Sequence, residues 1–160
     1  MKKILIVDDE QATLHMFQLF LSAYGYEVFV AENGAEGLAI FEKEHPRIVF
    51  TDIKMPGVDG FEVLRRIKTL DPRVEVIIIT GHGDMDLAVK ALSLDATDFI
   101  NKPIHRTALD EALSKAEARL DAEGLDRNRM EVSTREDVAH MPSPPTFVIN
   151  NLGELPGLVA

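Results

Sequence analysis

The chain has 160 residues, enough for one ordinary domain with a full core. Hydrophobic residues make up 46% and charged residues 28%, and the formal net charge is −10, which argues against wrapping a nucleic-acid backbone or lying on an anionic membrane. There is no cysteine, so disulfides, Cys-ligated zinc and thiol catalysis are excluded.

Lys3–Val7 reads as a strand, and its apolar run ends abruptly in Asp8, Asp9 and Glu10. Gln11–Tyr24 places Leu14, Phe17, Leu21 and Tyr24 on one helical face, and Gly25 ends it. Glu27–Ala31 is a second strand and Gly34–Glu44 a second helix. Ile48–Thr51 is a third strand, followed by a helix over Gly60–Leu70 with Phe61, Leu64 and Ile67 inward. Val74–Thr80 is the strongest strand, and Asp84–Leu94 is helical through Leu87, Ala88, Ala91 and Leu92. Asp98–Asn101 is a short fifth strand. Arg106–Leu125 is a long last helix with Leu109, Leu113, Ala116 and Leu120 in line.

Unbroken apolar strands indicate burial on both faces. Alternation of such strands with helices implies an α/β fold, a doubly wound parallel sheet with helices on both sides. Ligands of such sheets sit at the carboxyl ends of the strands. Asp8 and Asp9 leave the first strand there, Asp52 the third, Thr80 closes the fourth, and Lys102 follows the fifth in DFINKPI.

Three clustered carboxylates need a cation, and hard oxygen ligands suit Mg²⁺, with Mn²⁺ as a substitute. A carboxylate beside that ion can act as a nucleophile on phosphorus. Lys102 can neutralise a phosphoryl oxygen and the Thr80 hydroxyl can donate to another, which is most of what phosphoryl transfer requires. Each residue also has a plainer reading. A strand-end Asp is often a turn former or helix N-cap. Thr80 alone is a β-branched strand residue, Lys102 alone a solvated charge, and Met55-Pro56-Gly57 and Asp59-Gly60 are turn chemistry. The joint occurrence at successive strand ends gives the set its meaning.

ILIVDDE, TDIKMPGVDGFEVL, IIITGHGD and DFINKPI together resemble the receiver domain of bacterial two-component response regulators, over about Lys2 to Leu120. TGHGDMDLAVKAL followed by ATDFINKP is similar to receivers that act with AAA+ activators of nitrogen and dicarboxylate genes. The resemblance implies a flavodoxin-like five-stranded sheet of order 2-1-3-4-5. It implies that Asp52 is the phosphoacceptor, fed by a sensor histidine kinase, and that Asp8, Asp9, Asp52 and the Lys54 backbone carbonyl hold the metal. It makes Thr80 the switch hydroxyl, Lys102 the phosphoryl-contacting lysine and Phe99 the aromatic switch position, and it puts a cis bond before Pro103. Lys54 and His82 would tune dephosphorylation, or be ordinary surface-loop residues. The readout surface would be the helix four, strand five, helix five face, about Leu87–Leu94 and Phe99 to Ala116. A homodimer through helices four and five is one use of it. Leu109 and Leu113 are expected against the sheet, and Leu120 and beyond in a dimer or linker role.

The receiver is expected over 1–125 and a polar, Pro-rich linker or tail over 126–160. Pro142–Pro145 reads as extended linker, and Thr146–Asn150 as a strand without an obvious partner. The tail lacks the three helices and basic face of a helix-turn-helix module, so no direct nucleic-acid binding is expected from this chain. Its apolar ending at Leu158-Val159-Ala160 mildly favours a cut before an output domain over a complete regulator. The apolar run after Met1-Lys2-Lys3 is too short for a signal peptide, and no stretch approaches the ~20 apolar residues of a membrane span; a cytoplasmic location is expected.

Three rival functions compete with this one. A haloacid-dehalogenase-like phosphatase needs a second Asp where Lys54 stands. A flavodoxin-like FMN module needs a Ser, Thr and Gly-rich phosphate loop where Asp8-Asp9-Glu10 stands. A degenerate receiver, binding partners without phosphorylation, usually lacks one of the acids, the Thr or the Lys; all are present here. The expectation is therefore a phosphoacceptor regulatory domain that catalyses only its own phosphorylation and dephosphorylation.

Overall fold

Five apolar runs become the five strands of one parallel sheet. The computed structural model describes residues 2–81 and 83–132. In chain order the elements are β1 (Lys3–Val7), α1 (Gln11–Ala23), β2 (Glu27–Ala31), α2 (Gly34–Glu44), β3 (Ile48–Asp52), α3 (Gly60–Leu70), β4 (Glu75–Thr80), α4 (Met85–Ser93), β5 (Asp98–Asn101) and α5 (Arg106–Val132). The sheet order is β2-β1-β3-β4-β5, all neighbours parallel. This is the flavodoxin-like, doubly wound order expected.

Alternate residues of each strand enter opposite cores. Leu5, Val7, Val49, Val76 and Ile78 pack with Leu38 and Phe41 of α2, Leu64 and Ile67 of α3 and Ala91 of α4. Ile4, Ile6, Phe50, Ile77, Ile79 and Ile100 pack with Leu14, Phe17 and Leu21 of α1 and with Leu109, Ala112, Leu113 and Ala116 of α5. Ile4 through Val7 are wholly buried, each worth roughly 1.5–3 kcal/mol of transfer free energy. Because both faces are covered, the strands need no polar alternation.

Several local expectations shift. Tyr24 is not on the buried face of α1. It caps the helix, is 40% exposed, and its hydroxyl donates to Asp110 at 2.8 Å. In α4 only Ala88 and Ala91 are buried, while Met85, Val89 and Leu92 face solvent. Leu109, Leu113 and Ala116 are buried against the sheet, and Leu120 lies partly buried against the same core. α5 runs to Val132, beyond the expected end at Leu125; Asp126–Val132 contains neither Gly nor Pro, so no residue there breaks a helix. The packed unit itself ends at Asp121. Pro142–Pro145 and Thr146–Asn150 lie outside the described residues.

Two features at the carboxyl edge hold the end of β3 and the start of α3 together. Asp59 caps α3 by accepting from the Glu62 N–H at 3.0 Å. Gly60 sits against the end of β3: a Cβ there would lie 2.2 Å from the Asp52 carbonyl oxygen. Only glycine lets α3 start this close to the strand.

Candidate functional site

The register of the sheet brings the strand ends together. Val7 pairs with Thr51 and Asp52 with Ile79, so Asp8, Asp52 and Thr80 emerge side by side. Carboxylate oxygens of Asp8, Asp9 and Asp52 all lie within 4.8 Å of one another. Asp8 is fully buried, Asp52 nearly so, and Asp9 is exposed.

Lys102 enters from the far side, after β5. Its Nζ lies 2.6 Å from Glu10 Oε1, 3.1 Å from Asp8 Oδ2 and 3.4 Å from Asp52 Oδ2. The Lys102–Pro103 bond is cis, as expected. Asp8 Oδ1 accepts from the Glu10 N–H at 2.8 Å. Asp8 Oδ2 is buried and receives no hydrogen bond, since the Lys102 ammonium near it is out of alignment.

The electrostatics follow from this crowding. Burial is the main force pushing the Asp8 carboxyl up to about 6; the Asp52 charge adds to it, while the Glu10 N–H and Lys102 pull the other way. Asp52 is likewise raised, by burial first, with Lys102 opposing. Glu10 is lowered by its hydrogen bond from Lys102. Burial works against the Lys102 charge, but Glu10, Asp8 and Asp52 outweigh it and hold this ammonium well above its usual value. The site therefore has more negative charge than one lysine can balance. A buried carboxylate oxygen with no donor, beside two more carboxylates, fits a hard divalent cation such as Mg²⁺.

The remaining residues divide. The Thr80 hydroxyl is buried at the rim and donates to Asn101 Oδ1 at 2.5 Å, with the Ile100 carbonyl at 3.4 Å. The Lys54 side chain is paired with Asp84, Nζ to Oδ1 at 3.0 Å. Phe99 is half-buried against the core shared by α2, α3 and α4. His82 lies outside the described residues. Sequence reasoning does not single out Glu10 or Asn101 for the site. The signals are there: a third acid after the aspartate pair, and an amide at a strand end beside Lys102.

The family model described as the response regulator receiver domain matches residues 4–114. The chain is 37% identical over 114 residues to sporulation initiation phosphotransferase F of Bacillus subtilis (strain 168), covering 71% of this chain and 92% of that protein. It is 36% identical to the C4-dicarboxylate transport transcriptional regulatory protein DctD of Rhizobium meliloti (strain 1021), again over 71% of this chain but only 25% of the relative. Among solved structures, a response regulator receiver domain protein from Clostridium thermocellum superposes with a TM-score of 0.70 at 36% identity, covering 78% of this chain and 98% of that one. NtrX from Brucella abortus, in complex with ADP, gives 0.71 at 35% identity, over 82% of this chain and 30% of that one. With five parallel strands in this order and an acidic site at their carboxyl edge, the chain belongs to the response regulator receiver domain family.

Proposed function

We propose that this receiver is a phosphorylation-dependent switch, with Asp52 as phosphoacceptor and a sensor histidine kinase as donor. The observation that carries the reading is the convergence of Asp8, Asp9 and Asp52 within 4.8 Å, with the Lys102 ammonium 3.4 Å from Asp52. In the reaction an Asp52 oxygen attacks the phosphorus of a phosphohistidine. The O–P bond forms, the P–N bond breaks, and the imidazole leaves with a proton from water. Asp8, Asp9, Asp52 and the Lys54 backbone carbonyl would hold Mg²⁺ or Mn²⁺. Bound there, the ion supplies neutralisation of the carboxylates and of the phosphoryl oxygens. Lys102 neutralises a further oxygen, and the Thr80 hydroxyl donates to another.

The added charge then biases the Thr80–Phe99 pair and, through it, the α4–β5–α5 face. That face presents Met85, Val89 and Leu92 at 51%, 58% and 40% exposure, spaced along one side of α4. Such a strip suits a partner or a second copy. The receiver would occupy about 1–125, with 126–160 as tail or linker, and act in the cytoplasm; among the described residues no helix is long and apolar enough to cross a membrane. The test is labelling by acetyl phosphate with Mg²⁺ and with excess chelator. Labelling that requires the metal supports the reading. Labelling that survives chelation contradicts the role given to the acidic cluster.

A further inference from the structure

Thr80 closes β4 opposite Asn101 in the β4–β5 ladder. Two residues earlier, Ile78 pairs with Phe99, and both belong to the core beneath α4. The period of two along each strand puts Thr80 and Asn101 on that same face. Residues paired this way across neighbouring strands interact directly. Here the interaction is a short hydrogen bond, from the Thr80 hydroxyl to Asn101 Oδ1 at 2.5 Å.

A threonine hydroxyl has one proton. It cannot serve Asn101 and a phosphoryl oxygen on Asp52 at the same time. The other acceptor within reach, the Ile100 carbonyl, is 3.4 Å away and also belongs to β5. Both acceptors therefore hold the proton on the β5 side. Asn101 is exposed, so its amide can be released into water without a buried vacancy or an unpaired buried group. The neighbouring Lys102 N–H donates to the Thr80 carbonyl at 2.8 Å, which fixes the two strand ends while the side chains exchange partners.

We propose that Asn101 is a positioning residue that holds the Thr80 hydroxyl on β5 in the unphosphorylated protein and thereby sets the threshold of the switch. The proposal rests on the reading of Asp52 as phosphoacceptor. Removing the amide frees the hydroxyl to meet the incoming group. A net hydrogen bond of ordinary strength corresponds to a change of about two- to tenfold in the affinity for a phosphoryl mimic.

The experiment is a titration of the Mg²⁺-loaded protein with beryllium fluoride, followed by the Thr80 methyl resonance in the proteins that keep Thr80 and by the ¹⁹F resonance of the bound fluoride in all of them. It is run for wild type, Asn101→Ala, Thr80→Ala and the double variant. Asn101→Ala should bind about two- to tenfold more tightly than wild type. In the Thr80→Ala background it should change nothing, because Asn101 acts only through that hydroxyl. In metal-free protein Asn101→Ala should move the Thr80 methyl resonance. Equal affinity for wild type and Asn101→Ala, or the same gain without the Thr80 hydroxyl, would overturn the proposal alone. A wild type that takes up no beryllium fluoride would overturn the phosphoacceptor reading together with it.

Discussion

Replacing Asp8 by asparagine should stabilise the metal-free protein. The Asp8 carboxyl is raised from 3.8 to about 6, chiefly by burial. The folded state thus holds the proton more tightly than the unfolded state does. As pH rises between those two values, the unfolded chain loses its proton first, so stability falls across that window and the whole penalty stands above it. At about 1.4 kcal/mol per pH unit, the penalty is about 3 kcal/mol near neutral pH. Asparagine cannot ionise, and its Oδ1 can still accept from the Glu10 N–H, now 2.8 Å from Asp8 Oδ1. Its amide group would face the Lys102 ammonium where Oδ2 now lies at 3.1 Å, which takes back part of the gain. The expected net gain is about 1–3 kcal/mol, or roughly 4 °C in melting temperature per kcal/mol for a domain of this size. Urea unfolding in chelator near pH 7.5 and near pH 4 measures it, and most of the gain should be lost at the lower pH, where about 0.5 kcal/mol of the penalty remains. Millimolar Mg²⁺ should stabilise wild type and do much less for the variant. A variant no more stable than wild type near pH 7.5, or equally favoured near pH 4, would refute the reasoning.

Other substitutions probe the same frame. Gly60→Ala would push a Cβ to 2.2 Å from the Asp52 carbonyl oxygen; a loss of about 2–4 kcal/mol is expected in urea unfolding, with slower phosphorylation because the β3 end must move. Glu75 is buried at the start of β4, taking a hydrogen bond from Thr97 Oγ1 at 2.6 Å and an ion pair from Arg119 Nε at 3.1 Å. Arg119→Met should cost about 1–3 kcal/mol, discounted for the half-exposed arginine, and adding Glu75→Gln should return part of it. Glu10→Gln should leave stability within about 0.5 kcal/mol, because the pair with Lys102 is largely solvated on the Glu10 side. It should speed labelling by a small phosphodonor, because Lys102 loses its nearest competing partner. Unchanged or slower labelling would show that Glu10 does not restrain Lys102.

The layered fold is legible in the sequence because burial on both faces leaves a plain mark. Ile4–Val7 and Val76–Ile79 are unbroken apolar runs, and Leu14, Phe17 and Leu21 keep helical spacing. The carboxylate cluster is legible for a related reason: parallel strands deliver their carboxyl ends to one edge, so acids at successive strand ends must meet. The features that escape depend on register and reach. Thr80 meets Asn101 only because β4 and β5 pair in one particular frame. Glu75 looks like a solvated strand start until Thr97 and Arg119, both far along the chain, are folded onto it. The face of α4 differs from expectation at Leu92, because a short helix over a sheet edge buries only a narrow strip, here Ala88 and Ala91. The stripe of α5 has a spacing that serves a coiled coil and a sheet equally well; Leu109, Leu113 and Ala116 are buried on the sheet, and Leu120 only partly so.

The most direct measurement is intact-protein mass after incubation with Mg²⁺ and acetyl phosphate, for wild type and for Asp52→Asn. One added phosphoryl group in wild type, absent from the variant, is the expected result. No added group in wild type, under conditions that label another receiver and with no uptake of beryllium fluoride, would contradict the account and leave a module that binds partners without phosphorylation.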